Sequence, residues 1–317
     1  VFRAEDPQGF AAAIRQAAAL GREAAFRDRL RDYARANTWS ERADAALAAI
    51  VAAPRVSVVI LSYGDPELTM GCVHGLVGVG RTYPDLDILV VDNGSGVAEL
   101  SRLRRYLGRF PEVRLIENGR NLGFAAGNNI GIAAARGDYV MLLNNDTYVA
   151  PGAVAAMVRH LARDPGIGVI GPLTNAIGNE ARVEVGYRDM DEMVRVARRL
   201  AEGHRGQSTE VRVCAYFCAM FRRRDLAVFG PLSEDYGQGM FEDDDHCARI
   251  RAAGFRCAIA EDAFVHHQLS ATFGTLPGEE RQRLFDRNRA LYEARWGAWQ
   301  PHRYRTRRPA STFGEAA

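Results

Sequence analysis

Short apolar runs alternate with helical stretches along the middle of the chain. The runs are VSVVILS, LDILVVD, VRLIEN and DYVMLLNND; segments with helical spacing lie between them over 66–79, 97–107 and 124–135, and another follows Pro151. Continuous apolar strands that alternate with helices are typical of a parallel sheet covered on both faces. The pattern therefore predicts an α/β fold with a Rossmann-like, mostly parallel sheet flanked by helices.

The two ends of the chain have a different pattern. Residues 1–53 are rich in Ala, Arg and Glu with apolar residues at helical spacing, which predicts two or three helices of a packing or linking arm. We expect a helical extension over 1–53, the α/β domain over 54–275 and a C-terminal helical tail over 276–317. The chain begins with Val1 and shows no charged-then-apolar leader, which suggests a processed or excised fragment.

The second half of the α/β region is less regular. We expect a surface excursion over 172–210 with one helix near 190–201, an apolar strand from Val213, and a short strand over 256–260. The stretch GIGVIG over 166–171 matches GxGxxG literally. Because its glycines lie within or around a strand and lead to a proline, it is not a dinucleotide-binding loop.

Composition excludes several classes of protein. The 317 residues carry 41 Lys+Arg against 39 Asp+Glu, for a net charge of +2, which argues against nucleic-acid binding by bulk charge. All 41 of these basic residues are arginine, and the absence of lysine excludes a Walker A loop and Schiff-base chemistry. Five scattered cysteines without a CxxC pair indicate a reducing compartment. No apolar run approaches the roughly 18 residues of a membrane helix.

Polar residues follow the predicted strands, where ligands of such sheets bind. Asp146 comes directly after an apolar strand and could hold a divalent cation, although an Asx turn or a helix cap would also use an aspartate there. Asp92-Asn93-Gly94 could be a turn or could accept hydrogen bonds from a base or ribose. The stretch GRNLGFAAGNNIG brings backbone amides close to a ligand, or allows a tight turn.

Two further clusters carry ionisable groups. Glu242 to Asp245 are four successive acids before an amphipathic segment; they could be solvated acids that interact with a helix dipole, or could supply a general base. His266 and His267 follow a predicted strand and could pack, lie on the surface or bind a metal. Because neighbours in an extended segment point in opposite directions, at most one of them would serve.

In this order, the pieces resemble the family 2 glycosyltransferases with a GT-A fold. VSVVILSYGDPELTMGCVHGL resembles the family's opening strand and helix, ILVVDNGS its second strand, and ENGRNLGFAAGNNIGIAAARGDYVMLLNNDT its most recognisable stretch. YGQGMFEDDDHCARIRAAGFR is similar to its acidic catalytic segment and FVHHQLSATF to its late His motif. The resemblance covers about 55–305 and leaves the first 53 residues outside.

The resemblance implies an inverting, metal-assisted transfer of a sugar from a nucleoside diphosphate to an acceptor hydroxyl. Asp92 would contact the nucleobase, and Asp243, with Glu242 beside it, would be the general base. Asp146 would hold Mg²⁺ or Mn²⁺ together with His266, with His267 as second choice. The implied donor-side residues are Ser62, Tyr63, Asn121, Gly123, Asn128, Asn144 and Asn145, and the acceptor-side candidates are Asp244, Asp245 and His267.

Two positions depart from the family pattern. The DxD-like element reads Asn144-Asn145-Asp146 and keeps one carboxylate, which lowers the expected metal affinity. Gly64 replaces an Asn that many members have after the tyrosine, which puts one nucleotide contact in doubt. A nucleotidyltransferase or dinucleotide oxidoreductase is disfavoured because the first strand leads to neither a basic Gly-rich loop nor a true GxGxxG; a non-catalytic binding domain is disfavoured by the acidic cluster.

The resemblance also implies partners and a location. We expect a nucleoside-diphosphate sugar donor, with rhamnose, galactose, glucose and mannose open, and a glycan or lipid-linked saccharide acceptor in bacterial surface-polysaccharide or glycan assembly. No nucleic acid and no transmembrane segment are expected. The location would be cytoplasmic, with a peripheral position at the inner face of the membrane as the alternative. The arginines 303, 305, 307 and 308 favour a solvated tail over membrane or acceptor contact.

Overall fold

The computed structural model describes residue 20, residues 23–35, residue 38, and residues 53–78, 82–269 and 278–305. Contacts along the chain separate it into two units, Val1–Ala53 and Pro54–Ala317. In the first unit one helix, α1 (Ala24–Arg35), is described. The other helices predicted for that unit, and arginines 307 and 308 of the tail, lie outside the described residues.

The second unit is built on one mixed sheet. Its strands are β1 (Val56–Ser62), β2 (Leu86–Asp92), β3 (Val113–Glu117), β4 (Tyr139–Asn144), β5 (Thr147–Val149), β6 (Ile167–Leu173), β7 (Ser208–Val211), β8 (Cys218–Arg222) and β9 (Arg256–His267). They are ordered β3-β2-β1-β4-β8-β6-β9-β5, and β7 also pairs with β9. The first four strands are parallel, and β8 lies antiparallel to β4.

Helices connect and cover these strands. They are α2 (Pro66–Val77), α3 (Val97–Leu107), α4 (Phe124–Ala134), α5 (Ala153–Arg163), α6 (Met190–Gly203), α7 (Leu226–Phe229), α8 (Glu242–Ala252) and α9 (Gly278–Trp296). Local signals start them: Asp65 accepts a hydrogen bond from the Glu67 amide ahead of α2, and Pro66 occupies its first turn, where a proline is tolerated. No helix within the described ranges is long and apolar enough to cross a bilayer.

The predicted α/β, Rossmann-like first half is confirmed, and three details of the second half differ from prediction. The strand expected from Val213 begins only at Cys218, because residues 213–217 are irregular and end in a turn before the ladder with β4 begins. The short strand predicted over 256–260 extends to His267, since its second half pairs with β5. Residues 172–210 are not only a surface excursion: Met193 is fully buried where α6 packs against β9.

Two apolar clusters of the described residues support the elements that carry the site. The larger one joins the strands, with Val59, Leu142 and Phe221 fully buried; burial of each such side chain contributes about 1.5–3 kcal/mol. The smaller one contains Tyr236, Phe241, Ala248 and Tyr292 and is surrounded by Phe285 and Trp299. This second cluster packs α9 and the residues after it against α8, which carries the acidic run.

Candidate active site

The register of β1, β2 and β4 brings three predicted residues to one edge of the sheet. Ser62 lies opposite Asp92, and Asn144 lies opposite Leu61 on the other side. Asp92 Oδ2 accepts hydrogen bonds from the Gly94 and Ser95 amides, both at 3.1 Å. Its Oδ1 is buried and has no partner among the described residues. A buried acceptor without a donor costs about 1–3 kcal/mol, so this oxygen suits a ligand that donates a hydrogen bond.

Asn93 organises the loop beside Asp92. Its amide nitrogen donates to Asn121 Oδ1 at 2.9 Å and to the Gly123 carbonyl at 3.2 Å, while its oxygen accepts from Asn118 Nδ2 at 3.1 Å and from the Leu122 amide at 3.1 Å. The Asn93 side chain therefore ties the loop after β2 to the loop over residues 118–123. Sequence reasoning did not include Asn93 among the site residues, although its place directly after Asp92 was a usable signal.

The remaining donor-side predictions fall into two groups. Tyr63 is 46% exposed at the edge of the sheet and is open to a ligand. Ser62 and Asn145 instead share Thr69 of α2, with the Ser62 and Thr69 hydroxyl oxygens 2.8 Å apart and the Asn145 amide donating to Thr69 at 3.1 Å. Asn128 is buried and donates to the Phe124 carbonyl of its own helix. The structure thus gives Ser62, Asn145 and Asn128 packing partners rather than open positions.

Asp146 and His267 lie together where β5 meets β9. Thr147 pairs with His267 and Tyr148 with His266, so the two imidazoles point to opposite sides of β9. His267 Nε2 is 3.3 Å from Asp146 Oδ1, and both side chains are buried. His266 Nδ1 is instead 2.6 Å from the Tyr187 hydroxyl, and burial followed by repulsion from His267 lowers the pKa of His266. Of the two histidines, it is thus His267 that lies beside Asp146, whereas the resemblance implied His266 as the first choice; which of them binds a metal stays a prediction.

The imidazole of His267 is held in one orientation. Its ring stacks on Phe217 with centroids 5.0 Å apart, and Nδ1 lies 3.0 Å from the Ala176 carbonyl oxygen. Because a carbonyl oxygen can only accept, Nδ1 carries a proton, and in the neutral ring Nε2 presents a lone pair toward the Asp146 carboxylate. Two acceptors that face each other fit a shared cation or a proton. Neither here nor elsewhere in the described part of the chain do three or more His, Cys, Asp or Glu side chains form a group that could hold a metal.

Asp244 and Asp245 are not open to an acceptor. The Asp244 carboxylate accepts from Trp299 Nε1 at 3.0 Å and lies 3.1 Å from His302 Nε2. Asp245 accepts from Trp296 Nε1 at 2.9 Å and from Arg249 Nε at 3.0 Å. Both aspartates are buried. The prediction that they face the acceptor therefore disagrees with the structure, because donors from the tail, and for Asp245 also Arg249 and Tyr236, occupy their oxygens.

Glu242 and Asp243 are the two acids of this run whose carboxylates make no hydrogen bond to the described residues of the tail. Glu242 is buried, and its Oε2 has no partner among the residues that the structure describes. Asp243 is half-buried and accepts a hydrogen bond from the Asp244 amide at 2.9 Å. Burial, followed by repulsion from the neighbouring acid, raises the pKa of both carboxyls well above their usual values. A carboxylate whose pKa lies nearer neutrality is suited to general base catalysis.

The turn that leads into α8 is strained and is held from the tail. Met240 and Phe241 have φ values of 72° and 76°, which side chains other than glycine rarely adopt. Asn288 of α9 is fully buried and donates to the Tyr236, Gly239 and Met240 carbonyls at 2.8–3.1 Å. No local signal predicted a role for Asn288, because its partners lie about fifty residues earlier in the chain.

Comparison with known proteins defines the class. Residues 57–229 match the family described as glycosyl transferase family 2. This match covers more than half of the chain, so the chain belongs to that family of glycosyltransferases, and the predicted family and GT-A fold are confirmed.

Curated relatives agree with this assignment. The chain is 28% identical to an N-acetylglucosaminyltransferase of Rhizobium meliloti over 67% of this chain and 50% of the relative. It is also 28% identical to an uncharacterised protein of Sinorhizobium fredii over 77% of this chain and 28% of that protein. The chain thus spans half or less of the length of these two relatives.

Solved structures share the fold at low identity. A mannosyltransferase of Pyrobaculum calidifontis in complex with GDP-Man and Mn²⁺ aligns with a TM-score of 0.50 and 21% identity, over 70% of this chain and 59% of that chain. GalNAc-T7 with UDP, GalNAc and Mn²⁺ aligns with a TM-score of 0.55 and 18% identity, over 68% of this chain and 44% of that chain.

Proposed function

We propose that this chain transfers a sugar from a nucleoside-diphosphate sugar to an acceptor hydroxyl and inverts the anomeric centre. The observation that carries the proposal is Asp243, the half-buried member of the acidic run, whose carboxylate is not tied to the tail and whose pKa is raised. The nucleotide sugar present in the mannosyltransferase of similar fold supports the donor class. We also propose that residues 54–275 form the glycosyltransferase domain.

The donor would lie along the edge formed by β1, β2 and β4. Asp92 Oδ1 would accept a hydrogen bond from the nucleobase, and Tyr63 would cover it from the solvent side. Asn121 and Gly123 would shape the loop through the Asn93 network rather than through direct side-chain contact. Asn144 would complete the edge next to Asp146.

Asp146 and His267 would hold a divalent cation. Carboxylate oxygen and neutral imidazole nitrogen are suitable donors for Mn²⁺, and the carboxylate also suits Mg²⁺. Since the protein offers two such groups here, diphosphate oxygens and water would complete the coordination. When bound, the cation would stabilise negative charge on the leaving diphosphate.

Asp243 would accept the proton of the acceptor hydroxyl as its oxygen bonds to the anomeric carbon. The bond from that carbon to the diphosphate breaks in the same displacement, and attack opposite the leaving group inverts the centre. Glu242 would lie buried beside this base, while burial and repulsion from Asp244 keep the pKa of Asp243 raised.

The acceptor would be a glycan or lipid-linked saccharide. Relatives over shorter segments include a chondroitin synthase of Escherichia coli, 28% identical over 35% of this chain, and a poly(ribitol-phosphate) beta-glucosyltransferase of Bacillus spizizenii, 30% identical over 32%. These names favour a role in polysaccharide or glycan assembly. We also propose that the enzyme acts on the cytoplasmic side, either in the cytoplasm or in peripheral contact with the inner face of the membrane.

A panel of nucleotide sugars tests this function. Purified protein with Mn²⁺ is offered each donor with mono- and oligosaccharide acceptors, and nucleotide release and the anomer formed are measured. Asp243→Asn should lower kcat by about 10²–10⁴-fold while the donor still raises the melting temperature. Asp146→Asn should abolish the Mn²⁺-dependent part of that thermal shift.

Asp85→Asn is the matched control, because Asp85 pairs with Arg55 ahead of β2, at the opposite end of the strand from Asp92. It should leave turnover unchanged. Wild-type turnover by Asp243→Asn, or a product with retained configuration, would contradict the assignment of the base. Failure of every donor to bind would contradict the function itself.

A further inference from the structure

A segment at the end of the described chain lies against the proposed base. We call residues 296–305 the C-terminal strap; it lies beyond residue 229, where the family match ends. His302 Nε2 lies 3.1 Å from each oxygen of Asp244, and Trp299 Nε1 donates to the same carboxylate at 3.0 Å. Asp244 is the residue directly after Asp243. The strap therefore binds the first turn of α8 next to the group proposed to remove the acceptor proton.

The other end of the strap is anchored to β9 and to the loop that contacts the His267 backbone. Arg305 makes two hydrogen bonds to the Glu261 carboxylate, at 2.8 and 2.7 Å, and a third to the Glu180 carbonyl. Glu180 belongs to the loop in which Asn175 exchanges two hydrogen bonds with the His267 backbone. The strap thus connects the base with the loop that positions His267, and Arg305 is not part of a solvated tail.

The charge of His302 acts on the acidic run. The hydrogen bond to Asp244, together with the negative charges of Asp244, Asp243 and Glu180 that face the ring, raises the pKa of His302 above its usual value. In turn, the imidazolium opposes the effects of burial and of Asp244 on Asp243 and favours its carboxylate form. His302 lies in direct contact with Asp244 and acts on Asp243 through that neighbour.

We propose that His302 is a positioning residue for the reaction: through Asp244 it holds the first turn of α8, and with it Asp243, in the geometry and charge state that a base requires. The inference rests on the proposed function of Asp243. In this proposal His302 does not contact the substrate. Sequence reasoning did not identify this residue, because its partner lies 58 positions earlier in the chain.

Three variants test the inference. His302→Gln keeps an N–H donor for Asp244 but removes the charge, and His302→Ala removes both. His74→Gln, at an exposed histidine of α2, is the control. For each, kcat and donor KM are measured across pH, together with the melting temperature.

We expect His302→Gln to keep the wild-type donor KM, to lower the melting temperature only at pH values where the wild-type ring is charged, and to move the acidic limb of kcat/KM upward by about one pH unit. The direction follows because loss of a positive charge makes Asp243 harder to ionise. His302→Ala should in addition lower kcat by about tenfold. An unmoved pH profile in His302→Gln, or an effect confined to donor KM, would overturn the inference.

Hydrogen exchange separates this inference from the proposed function. If the wild type turns over no donor, the proposed function fails, and amide exchange in peptides covering 241–248 decides the positioning role alone. Exchange there should be about tenfold faster in His302→Ala than in the wild type, with no change in His74→Gln. Equal exchange rates in His302→Ala and wild type would refute the role of His302 in holding α8.

Discussion

Gly123 is the position where one added methyl group should disturb the donor site most. Its φ of 86° and ψ of 176° lie in a region that glycine alone adopts readily. A Cβ built there would lie 2.0 Å from the Gly237 carbonyl oxygen and 2.8 Å from its carbon, whereas ordinary contacts begin near 3.4 Å. In Gly123→Ala the loop before α4 and the turn before α8 must therefore separate by more than 1 Å.

The cost can be estimated from these contacts. Backbone strain at such a position is about 1–3 kcal/mol, and the separation would also break the hydrogen bond from the Phe124 amide to the Gln238 carbonyl, worth about 1 kcal/mol. We expect Gly123→Ala to lose about 3 kcal/mol of unfolding free energy, a fall in melting temperature of about 6–12 °C for a domain of this size. Donor KM should rise, because Gly123 is bonded to the Asn93 network beside Asp92.

Gly119→Ala is the matched control within the same loop. Gly119 also has a positive φ, 70°, but no heavy atom lies within 4 Å of its Cβ position. It should cost about 1 kcal/mol from strain alone and leave donor KM unchanged. Thermal and urea unfolding, with donor titrations, measure both variants. Equal losses in Gly119→Ala and Gly123→Ala would show that the contact with Gly237 has no energetic weight and would refute the reasoning.

Three further variants probe the acidic segment and the strap. Asn288→Ala leaves three backbone carbonyls without their donor and should lower the unfolding free energy in urea by about 2–4 kcal/mol. Folding raises the pKa of Glu242, so the free energy of unfolding falls as pH rises above the ordinary glutamate pKa. Glu242→Gln should flatten the fall in unfolding free energy between about pH 5 and about pH 8. An unchanged slope in this variant would contradict the raised pKa. Burial alone would raise the pKa of Glu261, but Arg305 and Thr209 lower it below its usual value, so Arg305→Ala should destabilise the protein at neutral pH by about 1–3 kcal/mol and less in acid.

Much of the first half could be predicted from sequence because its signals are local. The predicted helix over 97–107 has the same limits as α3, and the predicted helix over 124–135 ends one residue beyond α4. The polar residues after β1, β2 and β4 meet at one edge because parallel strands in register bring their carboxyl ends together. Each of these predictions needed only apolar runs, turn residues and the geometry of a parallel sheet.

The remainder depended on partners that are distant in sequence. The order of His266 and His267 was decided by the register of β9 against β5, which a histidine pair alone does not encode. Asp244 and Asp245 looked like free acids because Trp299 and Trp296, which bind them, come more than fifty residues later. The tail carries aromatic residues at helical spacing, including Phe285 and Tyr292, but no local signal identifies Ala248 of α8 as a member of the cluster that they join.

The bonds between the strap and α8 also have a consequence for how the protein is made. The acidic helix is synthesised more than fifty residues before Trp299 and His302. Domains begin to fold from their N-terminal side during synthesis. Until the last helix and the strap emerge, Asp244 and Asp245 lack the indole donors that hold them, and Asp244 also lacks the imidazole of His302. A nascent chain can thus complete the sheet and its donor edge first, and it gains an ordered catalytic helix only near the end of translation.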